Sequence, residues 1–292
     1  MLLLVLTMIC TFVSQLLFIL FYLLFSGNIQ QGLSAIQDLQ QANSKSFLYG
    51  SLLTGSIGTF LLPSLLLQKM ERKQVSYFPQ QKQEFALYLL LIFLFMLFSS
   101  PIMEGISVWN QKLSLPESLK SLEIWMFDKE QAMAEILEKI VMVKDINLLF
   151  MNIIVLAVVP AVVEEFYFRG SLQTIFYKIF KNPHISIWVT AIIFSAIHLQ
   201  FYGFLPRMLL GVIFGYSLYW TGNIWIAVFG HFVNNLAVTL IAYYYVLEGK
   251  SFQELQTSEP YQLWIYILSA ILLIAIGYYW YTKRQTNKLT YE

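Results

Sequence analysis

Two of the three histidines in this chain, His198 and His231, stand in apolar stretches that offer an imidazole no water. A third apolar stretch reads Pro160-Ala-Val-Val-Glu-Glu-Phe-Tyr-Phe-Arg169, with two carboxylates and a guanidinium inside six positions, 164 to 169. Ionisable groups in a membrane helix are costly and functional by default. Glu165 and Arg169 are spaced i, i+4, with the carboxylate on the N-terminal side, so they pair on one helix face. Glu164 points about 100° away and has no local partner. From the sequence, the charge of the core spans is read as concentrated in this one segment.

His231 precedes Asn235 by four residues, so both project from one helix face. His198 follows Phe194 by four, and His184 lies in a polar Asn-Pro-His turn that solvent explains. A helical hairpin folded at Asn182-Pro183 places Glu164 and His198 roughly 27 and 24 Å from the turn, nearly level. His231 lies roughly 13 Å beyond the Gly222 turn, and its match to that level depends on tilt. A carboxylate and an imidazole at one depth can deprotonate a shared water. A second histidine with an asparagine amide can donate to the oxygen of a tetrahedral intermediate. The same Glu164, His198 and His231 also form a donor set for zinc with a position left for water. Spacing alone does not separate these chemistries. Glu165 and Arg169 read as a supporting structural pair.

The elements that must position these groups follow from composition. The 292 residues are 58% hydrophobic and only 12% charged, against about 25% charged in soluble domains. Mean hydropathy is +0.63. A bilayer accommodates such a chain, and the expected fold is an all-α polytopic transmembrane bundle. About 20 apolar residues span the hydrocarbon, and eight stretches fit: 2–25, 47–68, 85–103, 147–170, 185–201, 206–221, 224–246 and 262–281. Residues 1–25 carry no lysine or arginine, so they read as a first span and not a cleaved signal. Breakers at Asn182-Pro183, Gly203 with Pro206, and Thr221-Gly222-Asn223 mark turns.

Three regions result: N-terminal spans over 1–146, a core over 147–246, and a loop, last span and tail over 247–292. Residues 104–145 are polar, with Met133, Ile136, Leu137, Ile140 and Val141 at helical spacing. This amphipathic extramembrane helix lies on the interface or packs on the bundle. Lysine and arginine fall mostly beside one set of turns, which predicts both termini in the cytoplasm. Net charge +1 and the lack of a basic block exclude a nucleic-acid partner. The single Cys10 permits no internal disulfide.

The motifs Glu164-Glu165-x3-Arg169, Phe194-x3-His198 and His231-x3-Asn235, in this order on successive helices, resemble the CAAX-protease and bacteriocin-processing membrane proteases, the group that includes the Ras-converting endopeptidases. The resemblance covers about 147–246. It implies about eight helices around a polar intramembrane chamber and peptide-bond hydrolysis by a water activated by Glu164 with His198. It assigns His231 and Asn235 to the oxyanion. A metal-free glutamate mechanism is the favoured expectation and zinc the alternative. The implied partners are the lipid bilayer and a membrane-associated peptide or protein substrate, with or without a prenyl group. Two other classes compete. A non-enzymatic scaffold or bacteriocin-immunity protein has no need of converging polar groups. A proton-coupled transporter would show repeat symmetry, and no internal repeat is apparent.

Overall fold

The computed structural model describes residues 1–25, 30, 45–73, 75–257 and 260–284. Its helices are α1 (Leu2–Phe25), α2 (Lys45–Glu71), α3 (Phe85–Gln111), α4 (Lys120–Val141), α5 (Ile146–Phe180), α6 (Pro183–Ala196), α7 (Phe204–Thr221), α8 (Ile224–Leu247), α9 (Phe252–Gln256) and α10 (Leu263–Lys283). Among the described residues there is no strand, only an isolated bridge between Gln80 and Asn223. Among the described residues, seven helices are long and apolar enough to cross a membrane: α1, α2, α3, α5, α7, α8 and α10. The protein is an integral, multi-pass membrane protein.

The eighth expected span, 185–201, is a helix of 14 residues ending at Ala196. Its length of roughly 21 Å falls short of a bilayer core. The chain leaves α6 through Leu199, which takes a left-handed φ of 53°. A turn and a short 3-10 helix, Phe201–Gly203, complete the traverse. Two other boundaries move outward. α3 continues past residue 103 to Gln111 with Pro101 inside it, and α5 runs 35 residues to Phe180.

The helix ends sort into two faces. On one, Leu3 packs with Leu67 and Tyr77, Lys178 Nζ lies 3.3 Å from Glu71 Oε2, and the Tyr88 hydroxyl donates to Lys283 O. The starts of α1 and α3 and the ends of α2, α5 and α10 therefore share this face. On the other lie the end of α3 and all of α4. Ile136 and Ile140 of α4 pack against Phe47, Leu48 and Val155 of the bundle, so packing on the bundle describes this half of α4. Its first half exposes Leu122, Ile124, Trp125 and Phe127.

The turns form where the sequence puts their signals. Asn182 caps α6 by accepting from the amides of His184 and Ile185, with Pro183 in the first turn, where a missing N–H costs nothing. Gly222 ends α7 at φ +61°, a left-handed position that favours glycine, and Asn223 caps α8. Packing in lipid gains from close contact rather than water release. Gly211 and Gly215 of α7 supply it: an added Cβ would stand 3.0 Å from Ala191 Cβ and 2.8 Å from Ile187 Cγ2 of α6, respectively. That approach brings α7 against both α6 and α5.

Candidate active site

Pro160 sets up the site before any charge does. It lacks an N–H, so the carbonyl of Leu156, four residues back, loses its helical donor. The helix widens into a π turn at Ile153–Val158 just before it. The Asn235 amide of α8 fills the vacancy, donating from Nδ2 to Leu156 O at 3.1 Å. Asn234 Nδ2 donates in turn to Asn235 Oδ1 at 3.2 Å, so the orientation of the Asn235 amide is defined at both ends. A second π turn, Phe166–Leu172, follows the two glutamates and carries Arg169. Such turns cluster at functional positions.

Glu164 Oε2 lies 4.0 Å from His198 Nε2 and 4.0 Å from His231 Nε2. The unequal nominal depths of the two histidines do not keep them apart. Four ångströms is too long for a direct hydrogen bond and fits a third atom between the groups. Each imidazole is fixed through its other nitrogen. His198 Nδ1 lies 2.7 Å from Phe194 O, and His231 Nδ1 lies 2.8 Å from Glu165 Oε1. A carbonyl and a carboxylate only accept, so both Nδ1 atoms carry hydrogen. Both Nε2 atoms then face Glu164.

Glu165 and Arg169 pair as their spacing predicts, Oε1 to NH1 at 2.9 Å, with both side chains fully buried. The contact is ionic rather than an aligned hydrogen bond, and Glu165 Oε2 has no hydrogen-bond partner. The same Glu165 Oε1 that meets Arg169 also holds His231. Arg169 NH2 donates to Gly211 O at 3.2 Å, and its guanidinium sits 4.4 Å from the Phe194 ring centroid and 5.4 Å from that of Phe214. Phe214 stacks on His231 at 5.2 Å and 12°. The three motifs thus form one connected cluster. Phe194 belongs to it through both its carbonyl and its ring.

The core spans hold a further full charge beyond the segment 164–169. Arg207, at the start of α7, donates to Gln200 O and Oε1 at 3.3 and 2.6 Å, and its charge acts on Glu164 and His198. A full charge in an apolar span was the available signal, although no spacing ties it to the motifs. Phe214 offered no signal at all.

The zinc alternative requires ligand atoms about 3.3–3.4 Å apart, the edge of a tetrahedron with bonds near 2.0–2.1 Å. Glu164 stands farther than that from each histidine. Among the described residues no group of three or more His, Cys, Asp or Glu side chains is placed to hold a metal ion. As placed, the set does not fit zinc.

Residues 146–237 match the family described as type II CAAX prenyl endopeptidase Rce1-like. The chain is also 31% identical over 86 residues to the uncharacterized protein YpbD of Bacillus subtilis (strain 168), across 28% of this chain and 41% of that protein. It therefore spans less than half of that relative. No solved structure matches. The matched segment begins at the start of α5 and ends two residues beyond Asn235, enclosing all three motifs. Over this segment, the helices that carry Glu164, His198 and His231, the chain is similar to the Rce1-like family.

Proposed function

We propose that this protein is an intramembrane endopeptidase of the CAAX-protease type. One observation carries the reading: a carboxylate and two imidazole nitrogens meet at 4.0 Å separations inside a bundle of apolar helices. Glu164 takes a proton from water held between it and His198 Nε2, which accepts the second water hydrogen and aims the oxygen. The oxygen adds to the peptide carbonyl. His231 meets the resulting oxyanion from Nε2 as an imidazolium, its Nδ1–H held by Glu165 and the Glu165 charge balanced by Arg169. The second amide hydrogen of Asn235 is the other donor. Glu164 then passes its proton to the amine nitrogen as the C–N bond breaks. No step runs through a metal.

The substrate is a membrane-associated peptide or protein, with the prenyl group as a variable to test. The face that gathers the described ends of α1 and α10 also gathers Arg72, Lys73, Lys82, Lys178, Lys181 and Lys283. We place it in the cytoplasm. The function is tested by presenting purified protein in micelles with tagged peptides, with and without a C-terminal prenylated cysteine. Cleavage lost in Glu164→Gln supports the reading, and identical fragments from wild type and Glu164→Gln refute it.

A further inference from the structure

His198 and Arg207 are joined by a segment that makes little regular structure, and that segment has to be held for His198 to face Glu164 and for Arg207 to keep its bonds to Gln200. It starts with the left-handed Leu199, a conformation that a β-carbon disfavours. Backbone groups so placed near a membrane need partners, and side chains provide them. Within the core, Ser195 Oγ donates to Phe204 O at 2.7 Å and Arg207 NH1 donates to Gln200 O at 3.3 Å.

The remaining ties come from outside the core. Asn110, the last residue but one of α3 and 4% exposed, donates from Nδ2 to Phe201 O at 2.9 Å. Its Oδ1 accepts from Leu205 N at 2.8 Å. One amide thus bridges both ends of the 3-10 turn. Glu130 of α4 accepts from Tyr202 N at 3.2 Å, and its charge acts on Arg207. Trp125 of α4 packs on Phe201, ring centroids 5.7 Å apart. Neither α3 nor α4 lies in the family-matched segment 146–237.

We propose that Asn110 and Glu130 are positioning residues for the active site, a two-point clamp by which α3 and the extramembrane helix α4 fix the loop that orients His198 and Arg207. The effect on turnover rests on the protease reading; the effect on the loop does not. Asn110 acts in both directions at once, as donor and acceptor, which an ionised aspartate of the same shape cannot do. Glu130 needs only to accept, so glutamine can replace it.

The test is hydrogen–deuterium exchange by mass spectrometry on the full chain in micelles, following a peptide that covers 199–206. Asn110→Ala frees Leu205 N–H and Glu130→Ala frees Tyr202 N–H. Loss of one such bond speeds exchange there about fivefold, while peptides from α8 keep their wild-type rates. Glu130→Gln restores slow exchange. On a peptide that the wild type cleaves, Asn110→Ala lowers kcat at least tenfold with KM within twofold, and Glu130→Gln retains the wild-type kcat. Unchanged exchange over 199–206 in both alanine variants overturns the clamp. Faster exchange with unchanged kcat overturns its role in the site. A wild type that cleaves nothing, with exchange altered as expected, refutes the protease reading and leaves the clamp standing.

Discussion

Replacing Arg169 with methionine removes the permanent cation paired with a fully buried carboxylate. Both side chains of the Glu165–Arg169 pair are 0% exposed, and Glu165 Oε2 already lacks a hydrogen-bond partner. Breaking a buried pair from one side costs about 3–5 kcal/mol, because a charge is left without compensation. Methionine fills most of the volume between Phe194 and Phe214, so the electrostatic loss dominates any cavity. Thermal unfolding in micelles should fall by on the order of 10 °C, taking about 2–4 °C per kcal/mol for a chain of this size. The paired variant Glu165→Gln with Arg169→Met removes both charges and should recover at least half of that loss. It should not recover turnover, because Glu165 also holds His231 Nδ1. An Arg169→Met protein that melts within 2 °C of wild type would refute the reasoning, as would a double variant no more stable than the single; both limits are about the resolution of the method.

Asn235→Ala should destabilise by about 1–2 kcal/mol, and by much less when combined with Pro160→Ala, which returns an N–H to Leu156 O; equal losses in both backgrounds would disprove that bond. If Asn235 also serves the oxyanion, turnover stays down by about 10²-fold or more in the stabilised double variant. Chelators should leave activity intact, and stoichiometric zinc that disappears in His231→Ala would contradict the metal-free route. In a Cys10→Ser background, cysteines at Lys73 and Lys129 should label from opposite sides of the membrane; labelling from one side would sink the topology. Burial holds the Glu130 carboxyl above the usual carboxylate range. Ionising it therefore costs stability, a contribution present at low pH and lost as pH rises through the folded value. Glu130→Gln should be more stable than wild type at neutral pH, with the difference closing below about pH 4; a pH-independent difference would contradict this.

The residues that the sequence exposes are those whose types are wrong for their surroundings. Glu164, Glu165, Arg169, His198 and His231 are polar groups in apolar runs, and regular spacing already pairs Glu165 with Arg169. The Asn182 and Gly222 turns were equally legible, because asparagine caps and a positive-φ glycine act locally. The short α6 was not, since Ile197 and Leu199 are as apolar as the helix before them and only the left-handed Leu199 ends it. Asn110 and Glu130 sit in stretches where polar residues are ordinary, and their partners are backbone groups more than 70 positions away. The double duty of Glu165 required α8 to be packed on α5 before it could be read.

The central claim is that Glu164 is the base. The direct measurement is cleavage of a membrane-presented peptide by purified Glu164→Gln protein, with its thermal stability recorded alongside. Glutamine keeps the shape of the side chain and leaves the Glu165–Arg169 pair complete, so melting should stay within about 2 °C of wild type while turnover falls to background. A folded Glu164→Gln protein that still cleaves at the wild-type rate would contradict the account.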